Sequence, residues 1–259
     1  MNSVGIRFSH GPRLYDYRFQ GEPPPVDTWV LVQSSRGLEL GKVRTAPRSA
    51  RPFGELVRQA TPEDLDKAAK LRARADDLKW WLKARFRREG VTAKVLGCDF
   101  TLDGSHLTVH YSAEERIDLR RWVGELARLA NARVEIVALG PRDQAAYIGT
   151  LGACGMESCC STWLQDFAQV SIKMARDQQL PLSPEKISGP CGRLLCCLQY
   201  EHEQYVELLK DLPRKNSKAC TTAGTCGKVV KLNPLAQTVD IITEEGSYIT
   251  AHKSELREA

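Results

Sequence analysis

Six of the nine cysteines in this 259-residue chain fall into two copies of one short pattern. Gly152-Ala153-Cys154-Gly155-Met156-Glu157-Ser158-Cys159-Cys160 and Gly189-Pro190-Cys191-Gly192-Arg193-Leu194-Leu195-Cys196-Cys197 both read Gly-x-Cys-Gly-x-x-x-Cys-Cys, 37 residues apart. Thiolates are soft donors that select zinc or iron–sulfur centres over magnesium or calcium. Glycine flanks the first cysteine of each copy, which suits a loop whose backbone approaches a metal closely. The cysteine pair stands where a helix is expected to begin, and neighbouring helical residues point about 100° apart. A four-thiolate site would then take the loop cysteine and one member of the pair from each copy. Two thiols remain for a second site, for a centre shared with a partner, or for no ligation. Zinc tolerates this spacing, and four cysteines equally satisfy a [4Fe–4S] cluster. No Cys-x-x-Cys of thioredoxin type is present. The plain alternative is a set of buried cysteines acting as small apolar residues. Outside the repeat, Cys98 reads as a core residue of a strand, and Cys220 and Cys226 as free thiols beside a turn.

Composition narrows the setting. With 42% hydrophobic and 27% charged residues the chain reads as an ordinary folded protein. No apolar run approaches the roughly 20 residues of a membrane span, and the N-terminal sequence lacks the pattern of a secretory signal. A cytoplasmic protein is expected, in which clustered cysteines mean metal or redox chemistry, not a disulfide framework. The net charge of +5 permits contact with nucleic acid or an acidic partner without requiring either. Between Lys42 and Arg88 stand fourteen Lys/Arg against six Asp/Glu. Lys83, Arg85, Arg87 and Arg88 gather near the end of an expected helix, either as a basic face for phosphates or as solvated cations complementing the helix dipole. Lys173, Arg176, Lys186 and Arg193 form a second basic group beside the cysteines, which either meets an acidic partner or RNA or simply solvates the domain.

The elements that must position these residues follow from periodicity and turn signals. Short strands over 4–9, 13–19, 28–34 and 38–44, divided by Gly and Pro turns, predict a small β-barrel-like module over 1–52. A strand near 55–60 precedes Thr61-Pro62-Glu63-Asp64, a helix start. Leu65, Ala68, Leu71, Ala75, Leu78, Leu82 and Phe86 then form one apolar helical face. A hairpin over 94–111 turning at Asp103-Gly104, a helix over 118–131 and a strand over 133–139 follow. That order predicts a ferredoxin-like βαββαβ domain over 53–148. A cysteine-rich helical segment over 149–212, a basic linker at 214–218 and a small C-terminal β-barrel within 213–259 complete an α+β fold.

The cysteine region resembles a known family. The residues are Cys159-Cys160-Ser161-Thr162-Trp163-Leu164, Val170-Ser171-Ile172-Lys173-Met174-Ala175, and Lys186-Ile187-Ser188-Gly189 leading into the second copy. With Val4-Gly5-Ile6-Arg7-Phe8 and Arg36-Gly37-Leu38-Glu39, they are similar to the bacterial YaaT/RicT family, named for the C-terminal domain of a polymerase-suppressor protein. The resemblance covers most of residues 1–205. It implies a cytoplasmic regulator without enzymatic activity, working in a complex with two small helical proteins, YlbF and YmcA. It also implies [4Fe–4S] clusters held by repeat cysteines, and an influence on endoribonuclease Y, mRNA processing and developmental programmes. On this chain the implied ligands are Cys154, Cys159, Cys160, Cys191, Cys196 and Cys197. The first copy departs from the family pattern, with Met156 where the motif usually has arginine; Arg193 keeps that arginine in the second.

A different class of function, direct RNA or ribosome binding with a structural zinc site, is suggested by the basic 42–88 region and the barrel-like ends. An enzyme is not expected: no Walker loop or His-Glu-x-x-His occurs, and Gly149-x-x-Gly152-x-x-Gly155 is not spaced as a dinucleotide fingerprint.

Overall fold

The computed structural model describes residues 2–9, 11, 13–115 and 117–257. The chain forms two compact units, 1–165 and 166–259; the boundary runs through the cysteine-rich stretch and leaves one copy of the repeat in each.

The first unit begins with six strands: β1 (Asn2–Phe8), β2 (Leu14–Arg18), β3 (Trp29–Ser34), β4 (Gly37–Val43), β5 (Arg48–Ser49) and β6 (Gly54–Gln59). β1 pairs with both β2 and β4, β3 joins β4 to β6, and β6 runs parallel to β2, so five strands close on themselves. Val4, Ile6, Tyr17, Val30, Val32 and Val43 fill the interior. Gly41 is required there, because a Cβ would lie 2.3 Å from the Ile6 side chain.

The expected barrel is present, but it takes the strand assigned to the next domain. β6 pairs with β3 through Val30–Gln59 and Val32–Leu56, and Leu56 packs against the barrel interior. The ferredoxin-like βαββαβ arrangement is therefore not formed. In its place, helix α1 (Pro62–Arg88), β7 (Lys94–Phe100), β8 (His106–Ser112), α2 (Arg120–Ala130) and β9 (Arg133–Ala138) build a three-stranded sheet of order β7-β8-β9, with helices on it. β9 lies parallel to β8. The predicted apolar stripe of α1 buries Ala75, Leu78, Leu82 and Phe86 against Leu107, Val109, Trp122 and Leu126. Thr61 caps the helix in a reciprocal box with Asp64, and Pro62 opens it. Short helices α3 (Pro141–Ile148) and α4 (Cys159–Thr162) end the unit.

The second unit holds α5 (Ile172–Asp177), α6 (Pro184–Ile187), α7 (Cys196–Lys210) and strands β10 (Lys218–Cys220), β11 (Cys226–Asn233), β12 (Thr238–Thr243) and β13 (Tyr248–His252). The strands form an antiparallel meander. After a short 3-10 turn, an isolated bridge pairs Leu256 with Thr221 beside flanking backbone bonds. Residues 214–217 are not a free linker: they make a turn whose Asn216 N–H bonds Val229 O, while Leu212 joins the sheet core. Cys220 and Cys226, read as free thiols, face each other across β10 and β11 and are joined in a disulfide. Among the described residues no helix is long and apolar enough to cross a membrane.

Candidate metal centre

The two copies of the repeat fold alike, bond for bond. In the first, Leu151 and Glu157 form a β-bridge, Gly152 N–H donates to Met156 O, and Gly155 N–H donates to Gly152 O. Ser158 N–H reaches Thr150 O, and α4 begins at Cys159. In the second, Ser188 bridges Leu194, Gly189 N–H donates to Arg193 O, Gly192 N–H to Gly189 O, and Leu195 N–H to Ile187 O. Helix α7 then begins at Cys196. Every partner is displaced by the sequence spacing of the repeat. Gly155 (φ +78°) and Gly192 (φ +74°) sit in the left-handed region that glycine enters without steric cost. A tight hairpin thus carries the loop cysteine and delivers the chain into a helix whose first residue is the next cysteine.

Burial separates the thiols. Cys154 is exposed and Cys159 half-buried, whereas Cys160 is buried, its Sγ 3.6 Å from Ser158 Oγ. Ser158 is itself buried and pairs with Ser161 at 2.9 Å. Cys160 therefore points into packing, and Cys154 and Cys159 remain on the accessible side. Arg7 Nη2 donates to Thr162 O at 2.6 Å and Leu14 N–H to Gln165 Oε1 at 2.8 Å, anchoring the first copy to the barrel. In the second copy Cys191, Cys196 and Cys197 are all half-buried. The following Leu198 is buried with Ala175 and Ile187, and Gln178 Nε2 bonds its carbonyl at 2.6 Å.

Each copy thus offers soft sulfur donors on a rigid turn, chemistry that fits zinc or an iron–sulfur cluster. The convergence expected of the two copies is not displayed: among the described residues, no three His, Cys, Asp or Glu side chains lie close enough to hold a metal ion. Cys98 behaves as expected: it is buried in the first unit's core, and burial pushes its thiol up to about 12.

The predicted cations are placed on the surface with uneven freedom. Arg85 is engaged by Glu89 at 2.5 Å and Glu125 at 3.4 Å, and Lys83 sits 4.9 Å from the ring centre of exposed Trp80. Arg87 and Arg88 face solvent. Lys173, Arg176, Lys186 and Arg193 are all exposed, and among the described residues none has an ion-pair partner.

Two features of the first unit escaped the sequence reading. A cavity of about 740 Å³ lies between the barrel and the ends of β8 and β9, lined by Tyr15, Tyr17, Phe53, Arg36, His106 and Glu135 among others. The alternation Tyr15-Asp16-Tyr17 was its only trace in the chain. Nearby, Asp99 is raised to about 6 by burial and His110 lowered to about 4 by burial, with Tyr147 Oη 3.4 Å from Asp99.

Comparison with known proteins finds two conserved regions on the chain. The PSP1 C-terminal conserved region matches residues 54–139, and the third domain of PSP1-like proteins matches residues 169–212. The stage 0 sporulation protein YaaT of Bacillus subtilis (strain 168) is 35% identical over 246 residues, covering 93% of this chain and 89% of that protein. No solved structure is significantly similar. With nearly the full length of YaaT matched and both conserved PSP1 regions in place, the chain belongs to the YaaT/RicT family of PSP1-domain regulatory proteins.

Proposed function

We propose that this protein is a cytoplasmic, non-catalytic regulatory scaffold whose cysteine repeat holds an oxygen-sensitive [4Fe–4S] centre, and that it acts in a complex modulating mRNA processing and a sporulation-like developmental programme. The observation that carries the reading is the duplicated hairpin-to-helix turn, conserved between the copies down to each backbone hydrogen bond. Two buried core cysteines would not require a repeated left-handed glycine. Ligand presentation does, because it fixes where the loop thiol stands relative to the helical one.

In each copy the loop cysteine and the first helical cysteine are the ligands: Cys154 with Cys159, and Cys191 with Cys196. Cys160 supports the packing behind the first pair. When bound, the cluster supplies a redox-sensitive anionic group; the chain's own residues hold the thiolates and fix their spacing. Partners with YlbF/YmcA-like helical folds, and endoribonuclease Y downstream, match the exposed Lys173, Arg176, Lys186 and Arg193 as contacts for acidic surfaces.

Anaerobic purification of the full chain, alone and with its helical partners, followed by iron, sulfide and zinc analysis, tests the reading. Equal amounts of iron and acid-labile sulfide that disappear on exposure to air are expected. Zinc bound stoichiometrically under strict anaerobiosis, with no iron in either preparation, overturns it.

A further inference from the structure

From the cavity between the barrel and the β8–β9 edge, we infer a binding site for an unpaired nucleotide of a single-stranded nucleic acid. The inference is independent of the cysteine centre. One wall is aromatic: Tyr15 and Phe53 lie 5.2 Å apart between ring centres, with Tyr17 and Phe53 edge-to-face at 6.1 Å. Phe53 is 60% exposed, an unusual cost for a phenyl ring unless something covers it. Tyr17 is fully buried and lines the same cavity, yet its hydroxyl has no hydrogen-bond partner among the described residues. Buried hydroxyls are nearly always bonded, so an orphan in a cavity wall marks a place for a ligand's polar edge.

The opposite wall sets the ligand's charge. Arg36 and His106 both engage Glu135, at 2.8 and 3.3 Å, so that carboxylate is already satisfied. Glu39 is held by the Ser34 hydroxyl. At the rim Arg133 is exposed and has no ion-pair partner among the described residues, and the Arg13 guanidinium lies 5.6 Å from the Tyr15 ring centre. The site therefore presents an aromatic wall, a buried hydroxyl and Glu39 for a polar ring edge, and cations beside it. A nucleobase with its phosphate satisfies all three. An aromatic peptide side chain satisfies only the first. The volume lies in the range of ordinary ligand sites, roughly 300–1,000 Å³, and the exposed Phe53 and Arg133 leave the mouth accessible to one residue of a polymer.

The test is fluorescence anisotropy with the full-length protein and a labelled, unstructured 12-nucleotide RNA, the same sequence as DNA, its duplex, and GMP as competitor. Binding to the single strands, weakening steeply with salt, is expected; the RNA-to-DNA ratio tells which sugar is preferred. Phe53→Ala should weaken binding by roughly fivefold to a hundredfold, as loss of one stacked base predicts, while Phe53→Trp retains it. Arg133→Gln should lower the salt slope by about one. Tyr17→Phe should weaken binding severalfold without lowering the urea midpoint, which separates a ligand contact from a structural one. Four results each overturn the inference: no binding at low salt, equal affinity for the duplex, GMP binding as tightly as the oligomer, or Phe53→Ala and Tyr17→Phe both binding as wild type. Displacement of the RNA by an aromatic peptide at equal concentration would reassign the cavity to a protein partner.

Discussion

Gly155 and Gly192 show how little sequence is needed to shape the turn that carries a loop cysteine. Each has a left-handed φ with nothing within 4 Å of where a Cβ would stand, so the backbone angle alone selects glycine. Gly192→Ala should cost about 1–2 kcal/mol in urea unfolding, the strain of a left-handed L-residue; Gly192→Asn, which tolerates that region better, should cost less. Equal stability of the two variants would mean that the turn relaxes to another conformation. The repeat and its glycines were legible because they are local. The difference in burial between Cys159 and Cys160 was not, since burial of Cys160 beside Ser158 depends on how α4 docks on the barrel. Nor did the sequence disclose the buried Asp99. Burial raises its folded pKa to about 6 from an ordinary 3.8, so the folded state binds the extra proton between those values and stability falls as pH rises through that window. The buried imidazole His110, lowered to about 4, acts oppositely, removing stability as pH falls from about 6.5. Asp99→Asn keeps only the second effect. The stability of Asp99→Asn relative to wild type should therefore increase between pH 4 and pH 7, by on the order of 2 kcal/mol. Urea midpoints at the two pH values measure it, and an unchanged difference refutes the buried-carboxyl account.

Among the elements, β6 and α1 carry the lesson. Strand bounds and the apolar stripe of α1 were readable because both depend on periodicity within a segment. Which sheet β6 joins was not, because Leu56 is the only β6 side chain that packs against an apolar core and the remaining β6 residues suit either partner. Closing the barrel satisfies β6 on both edges, through β3 and β2. The order strand-helix-hairpin-helix-strand therefore mimics a ferredoxin-like domain while the first strand belongs elsewhere. The junction is held by Thr61, whose hydroxyl accepts from Asp64 N–H while the Asp64 carboxylate accepts from Thr61 N–H and from Arg58. The Arg58 guanidinium, first, and the Thr61 N–H hold that carboxyl well below the usual range. Thr61→Ala should lower unfolding stability by about 1 kcal/mol, the usual worth of an N-cap, and Thr61→Ser should restore most of it. A neutral Thr61→Ala would show that α1 is fixed by packing alone.

For the whole molecule, the cysteine repeat spans two compact units divided between Gln165 and Asp166. Nothing in the sequence marks that boundary: 166–171 contains neither Gly nor Pro, and the turn signals there belong to the repeat. One copy of the duplicated turn lies in each unit. The account rests on which thiols ligate. The most direct test is the iron and sulfide content of anaerobically prepared, partner-bound protein carrying single Cys→Ser changes. Cys154→Ser, Cys159→Ser, Cys191→Ser and Cys196→Ser should each lose iron and sulfide together with an unchanged fold, while Cys160→Ser keeps its iron and loses stability. Full iron in the Cys154→Ser and Cys191→Ser proteins, or loss of iron confined to Cys160→Ser, would contradict it.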